Sequence, residues 1–244
     1  MLKLPQIDNI LYSGPSKSRL SSFEAGDLLG EAAILVYRDA PKSFFIHAIH
    51  CYFVGNEYSK TPTFVVKNVR DGRNFAIRHV DILRPNGDAM AVAEFSLQRD
   101  VENPVISVFP EFPRNVLAPE HFENGRNSDC VEFRRVPNAI NGKHYIWIRC
   151  KTPIDDSDPF QKHAILIKLS DLQLYGNDIQ TRRDHSIWLH QTKFDAADWL
   201  LYEYEFAGKP NPYCLVNANI WSRDGKILMS TSQEVSTTKT RSKM

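Results

Sequence analysis

The segment Asp184–His190, Asp-His-Ser-Ile-Trp-Leu-His, gathers side chains able to move protons. It runs on through Phe194 and Asp198-Trp199-Leu200-Leu201-Tyr202, and similar chemistry returns at Ser232-Gln233-Glu234. Between Asp184 and Trp199 stand two histidines, three carboxylates and two tryptophans. Carboxylates and imidazoles can serve as general acids or bases when their surroundings tune them, and a carboxamide such as Gln233 both donates and accepts. Ile187, Trp188 and Leu189 favour a strand, but Asp184 and Ser186 alternate with them only roughly, so this strand's polar residues have work besides meeting water. Plainer readings stand beside these. Asp184 can cap a turn or pair with Arg182 or Arg183, and Gln233 can close a strand end. His185 and His190 can be structural, as can His47 and His50 on an earlier apolar strand.

At these residues the sequence resembles the type II acyl-CoA thioesterases, the bacterial and peroxisomal double hotdog family. The second half carries Asp-His-Ser-Ile-Trp-Leu-His, then Trp-Leu-Leu-Tyr-Glu, Asp224-Gly225 and Ser232-Gln233-Glu234. The first half carries His47-Ala-Ile-His50-Cys-Tyr52-Phe53, followed by Arg70-Asp71-Gly72-Arg73-Asn74-Phe75-Ala-Ile-Arg78. The resemblance covers about Gly30 to Gln233. It implies an α+β double hotdog, two antiparallel sheets each wrapped around a central helix, and hydrolysis of an acyl-CoA to free acid and CoA. In that family a carboxylate, a hydroxyl and an amide share one water. The carboxylate carries over to Asp184 and the amide to Gln233. Ungapped alignment from Leu200 puts the hydroxyl at Phe206, which has none, beside Ala207 and Gly208. Losing one such orienting group costs a rate factor of about 10²–10³. Phe206, Glu31 and His185 are the residues expected at the substrate, Glu31 because it follows a Gly where the family has Gln. No cofactor is implied, since CoA is part of the substrate. A non-hydrolytic acyl-CoA binding protein and a hotdog dehydratase or hydratase remain as alternatives, and a role in secondary metabolism is compatible with each.

The elements that must position these residues follow from the pattern. Leu28–Tyr37, apolar nearly all round, reads as the first central helix. Phe44–Val54, Thr63–Arg70, Asn74–Leu83 and Ala89–Gln98 read as strands, with Arg70–Arg73 and Asn86-Gly87 as hairpin turns. Residues 1–108 form the first hotdog, and the proline-broken stretch 109–132 is a linker. Residues 133–244 form the second hotdog and a mobile tail. There Pro159–Leu174 is the second helix, capped by Asp158, with Lys162 and Lys168 expected at its open face or end. Ser186–Leu189, Trp199–Phe206, Cys214–Ser222 and Ile227–Ser232 follow as strands, the last two joined at Arg223–Lys226.

Composition narrows the partners. With 244 residues and a formal charge of +1, the chain has length for a full core and no basic stripe for nucleic acid. No run approaches the ~20 apolar residues of a membrane span. Cys51, Cys130, Cys150 and Cys214 are scattered without metal-ligand spacing and read as reduced thiols. Ser242-Lys243-Met244 at the terminus resembles the peroxisomal Ser-Lys-Leu address, so a peroxisomal import receptor joins acyl-CoA as an expected partner. A cytoplasmic location is the alternative, and a homo-oligomer is compatible with the sequence.

Overall fold

The computed structural model describes residues 9–13, 25–54, 61–99, 110–123, 125, 130–151, 154, 158–171, 181–211 and 213–236. In chain order the elements are β1 (Asn9–Ser13), α1 (Ala25–Asp39), β2 (Phe44–Phe53), β3 (Thr63–Asp71), β4 (Phe75–Leu83) and β5 (Ala89–Arg99). Then come β6 (Val131–Arg135), β7 (His144–Cys150), α2 (Pro159–Leu169), β8 (Thr181–Arg182), β9 (Asp184–Leu189), β10 (Leu200–Asn211), β11 (Tyr213–Ser222) and β12 (Ile227–Ser236). The twelve strands form one sheet in the order β1-β3-β4-β5-β2-β9-β12-β11-β10-β7-β6, with β8 paired to β12. Both halves therefore belong to one antiparallel surface, joined where β2 runs against β9 from Ala48↔Trp188 to Tyr52↔Asp184. This is an α+β double hotdog.

The sheet closes around two helices whose sequences suit burial. Leu28, Leu29, Ala32, Ala33 and Val36 of α1 are fully buried, as are Leu166, Ile167 and Leu169 of α2. The Asp158 carboxylate caps α2, accepting from Phe160 N–H at 2.9 Å and Gln161 N–H at 3.3 Å, with Pro159 at the first helical position. The helices run antiparallel: the start of α1 meets the end of α2 at Gly26 and Lys168, and Tyr37 near the end of α1 stacks on Phe160 at 4.3 Å. Their close approach needs small residues. A Cβ on Gly26 would lie 2.6 Å from Lys168 O, and one on Gly30 would lie 2.4 Å from Lys168 Cγ.

Lys168 differs from the expectation of an exposed side chain. It is 3% exposed and lies 3.7 Å from the equally buried Asp27 carboxylate, because the crossing of α1 closes over that face of α2. The Asp71-Gly72 turn exists, but Gly72 is not among the positive-φ residues; a Cβ there would meet Phe75 O at 2.8 Å, so close backbone approach requires the glycine. Gly87 and Gly225 do hold φ of 90° and 89°. A second apolar cluster lies on the outer side of the sheet. Phe112, Val116 and Phe122, ahead of β6, pack there on Trp147, Trp199, Leu201 and Trp221, and Trp147 Nε1 donates to Leu117 O at 2.9 Å. All four cysteines are free thiols.

Candidate active site

Where α2 ends, Ser170 caps the last turn and Asp171 follows, completely buried. A carboxylate here is on the wrong end of the helix dipole, so something else must hold it. Three groups do. Gly26 N–H at the start of α1 donates to Asp171 Oδ2 at 3.1 Å, Gln233 Nε2 on β12 donates to Oδ1 at 3.3 Å, and the Arg182 guanidinium on β8 forms an ion pair with Oδ1. Burial pushes the Asp171 carboxyl up, against the pull of Arg182, Gln233 and the Gly26 N–H.

His185 on β9 completes the cluster. Its Nε2 lies 2.8 Å from Ser170 Oγ, and that hydroxyl donates to Ile167 O at 2.7 Å. Gln233 Nε2 also faces His185 Nε2, at 3.4 Å, so the ring nitrogen lies between a hydroxyl and an amide. Burial holds the ring neutral, with its pKa lowered to about 3. Tyr202 Oη donates to Ser170 O at 3.1 Å, fixing the cap from the other side. Two buried polar atoms, His185 Nδ1 and Gln233 Oε1, have no hydrogen-bond partner among the described residues. Buried polar atoms of this kind call for a water or a ligand group.

The opposite end of the helix pair is furnished differently. Ile46 N–H donates to Tyr37 Oη at 3.0 Å, and Tyr37 Oη donates to His163 Nδ1 at 2.6 Å. Phe160 and Phe194 stack on these rings. Burial lowers His163 to about 4. The antiparallel crossing puts Tyr37 and Phe160 in the places that Asp171 and Gly26 hold at the first end, and Asp39, the last residue of α1, pairs with the buried Arg78.

A family model, the acyl-CoA thioesterase C-terminal domain, matches residues 100–237. The chain belongs to this acyl-CoA thioesterase family. Acyl-coenzyme A thioesterase 8 of Mus musculus is 24% identical over 96% of the chain and 86% of its own length. Acyl-CoA thioesterase 2 of Haemophilus influenzae is 24% identical over 96% of the chain and 94% of its own length. Among solved structures, the acyl-CoA thioesterase II TesB2 from Mycobacterium marinum superposes with a TM-score of 0.81 at 23% identity, covering 96% of this chain and 94% of that one. The tesB protein of Mycobacterium avium subs paratuberculosis gives 0.75 at 21% identity, covering 94% and 93%.

Within this thioesterase fold the residues expected from sequence separate into two groups. Gln233 and His185 both stand at the cluster. Asp184 does not. Side chains alternate across a strand, and β9 pairs β12 with Ser186 opposite Ser232. That register puts His185 and Gln233 on the buried face and Asp184 on the other, where its Oδ1 accepts from Glu234 N–H at 2.6 Å. The carboxylate that meets Gln233 is Asp171. Phe206 is also displaced from the expected place. It pairs with Val216, which pairs with Gln233, so it stands two strands away, about 10 Å at the usual strand spacing. Its ring contacts Tyr204 and His144 instead, at 5.9 and 6.2 Å. Glu31 lies one turn beyond Asp27 and acts on Lys168, where it and Asp27 oppose the fall that burial imposes on the ammonium. Ser242, Lys243 and Met244 lie outside the described residues.

Asp171, Ser170, Arg182 and Gly26 are the residues that sequence reasoning missed. Asp171 gave no separate signal, because the apolar pattern of the sequence runs on past it through Leu172 and Leu174. A groove of about 390 Å³ on the outer face, lined by Trp188, Glu203, Asn217, Asn219, Ser230 and Ser232, is separate from this cluster. Its groups already satisfy one another, with Lys143 Nζ donating to Glu203 at 2.6 Å and Ser230 Oγ to Asn219 at 2.8 Å. Among the described residues no group of three or more His, Cys, Asp or Glu could hold a metal ion. Among them no helix is long and apolar enough to cross a membrane.

Proposed function

We propose that the chain hydrolyses an acyl-CoA thioester, with Asp171 as the general base and Gln233 orienting the water. The observation that carries this reading is the fully buried Asp171 carboxylate held between the Gly26 N–H and the Gln233 carboxamide, with the Gln233 Oε1 acceptor left over. A water donating one proton to Asp171 and the other to such an acceptor points its lone pair at the thioester carbon. As the oxygen attacks, its proton passes to Asp171 and the carbonyl oxygen gains charge. Collapse breaks the C–S bond, and Asp171 returns the proton to the departing CoA sulfur. The products are one acid and one CoA, and the base is restored.

His185 pairs with the Ser170 hydroxyl and not with a carboxylate, which leaves the hydratase reading without its acid–base pair. The substrate is an acyl-CoA by analogy with the relatives' names. We assign the terminal Ser242-Lys243-Met244 the role of a peroxisomal address, tested by whether its removal releases a fluorescent fusion into the cytosol.

The decisive experiment follows CoA release with a thiol reagent over short, medium and long acyl-CoAs. Asp171→Asn is expected to lower kcat by about 10²–10⁴, the usual worth of a general base, while Asp184→Asn stays within a few-fold of wild type. Full activity in Asp171→Asn, or loss in Asp184→Asn alone, would return the role to Asp184.

A further inference from the structure

Arg182 reaches the site because of a defect in strand pairing. Along β9 and β12 the register is constant from Met229↔Leu189 to Ser232↔Ser186. At β8 it has slipped by one residue, with Val235 opposite Arg182 and Ser236 opposite Thr181. Arg183 is the extra residue, its N–H donating to Glu234 O at 3.0 Å and its guanidinium stacked outside on Tyr213 at 4.5 Å. A bulge of this kind re-aims the side chains beyond it. In a straight strand Arg182 and Asp184 would share the outer face; here Arg182 turns inward, its side chain 8% exposed, onto the carboxylate of Asp171.

We propose that Arg182 is the positioning residue of this site, a buried counterion that keeps Asp171 ionised and fixed so that it can accept a proton. The inference rests on Asp171 being the base. A carboxylate cut off from water holds its charge only beside a compensating one. Among the described residues, the other groups packed around Asp171 do not supply it. Lys168 on α2 is engaged with Asp27 in the first turn of α1, and His185 on β9 is neutral. Gly26 and Gln233 offer dipoles alone, and Cys51 on β2 is a thiol that burial and the nearby Asp171 and Asp184 charges hold protonated. Arg suits the position better than Lys, since its guanidinium stays charged where burial would discharge an ammonium.

The test compares Arg182→Gln, Arg182→Lys and Asp171→Asn with wild type, reading kcat/KM from pH 5 to 10 and the urea midpoint. Without the counterion Asp171 is neutral at pH 7. Arg182→Gln is expected to lose at least ~30-fold in kcat/KM there and to regain most of it towards pH 9–10, its acid limb moved up by at least one pH unit. Arg182→Lys, whose ammonium burial tends to discharge, should move the limb the same way but less far than Arg182→Gln. A merely structural arginine would give a loss that does not depend on pH, and that result would overturn the proposal. If Arg182→Gln folds poorly, the double variant Asp171→Asn/Arg182→Gln decides: removing a carboxylate that must take up a proton to be buried at pH 7 should raise the urea midpoint above that of Arg182→Gln, and an equal or lower midpoint refutes the counterion role. Full activity in Asp171→Asn would instead defeat the assignment of the base, whatever the midpoints show of the ion pair.

Discussion

Replacing Gly26 by Ala should lower stability and turnover together. An alanine for a helical glycine ordinarily stabilises, by up to about 1 kcal/mol. Here the new methyl would lie 2.6 Å from Lys168 O and 3.2 Å from Asp171 Cβ, where ordinary contact begins at 3.4 Å. The obstruction is backbone of α2, so the helix ends must part by close to an ångström. Overpacking of that order costs about 1–3 kcal/mol, leaving a net destabilisation of about 0–2 kcal/mol once the ~1 kcal/mol helix gain is set against it. The same movement stretches the 3.1 Å bond from Gly26 N–H to Asp171. A hydrogen bond to a charged group contributes about 1.5–3 kcal/mol, so kcat should fall about 10–100-fold. Gly30→Ala is the matched control. Its methyl meets the flexible Lys168 side chain at 2.4 Å and Ala164 O at 2.8 Å, with no Asp171 atom among its three nearest neighbours. It should lose stability while each folded molecule keeps its rate. Urea denaturation and CoA release on the same samples make the comparison. A Gly26→Ala protein that is more stable and as active as wild type would refute the helix crossing as drawn here.

Other outcomes follow from the same geometry. His163 and His185 are held at about 4 and about 3 against 6.5 for a free ring, so between those values the unfolded chain takes up protons that the folded chain refuses. Stability is full above pH 6.5 and falls below it, by about 2 kcal/mol for each ring at pH 5; equal urea midpoints at pH 8 and pH 5 would contradict the burial of both. Asp184→Ala removes the acceptor of Glu234 N–H and should cost about 1 kcal/mol in the midpoint with CoA release unchanged. Phe206→Ser should leave kcat within a few-fold of wild type and lower the midpoint by about 1–2 kcal/mol, because its ring packs on Tyr204 two strands from Gln233. A marked gain in its rate would place a water beside that residue after all.

Much of the architecture is legible in the residues. The apolar run of α1, the Asp158-Pro159 start of α2 and the glycine turns at Gly87 and Gly225 announce themselves through local physics. Gln233 and His185 are also legible, since they sit on regular strands where alternation holds. Asp171 is hidden because the apolar pattern of α2 continues through Leu172 and Leu174, so the acid reads as one polar point on a helix that in fact stops at Leu169. Arg182 is hidden by the slip at Arg183, which no period-two count can anticipate. Asp184 draws attention for its motif, yet that motif holds the backbone of Glu234 on the face away from the helices. Lys168 misleads in another way: a lysine on a helix suggests solvent, and only the crossing at Gly26 and Gly30 reveals that it is covered.

The seam between β2 and β9 hydrogen-bonds two halves that a single polypeptide carries. In a dimer of identical short chains, any residue chosen for one extremity of the helix pair is imposed on the other. Fusion removes that compulsion. Tyr37, Phe160 and His163 can become an aromatic plug while Asp171, Arg182 and Gln233 are kept for chemistry, and each polypeptide then offers a single reaction centre. Titration with a non-cleavable acyl-CoA analogue would accordingly saturate at one equivalent per chain.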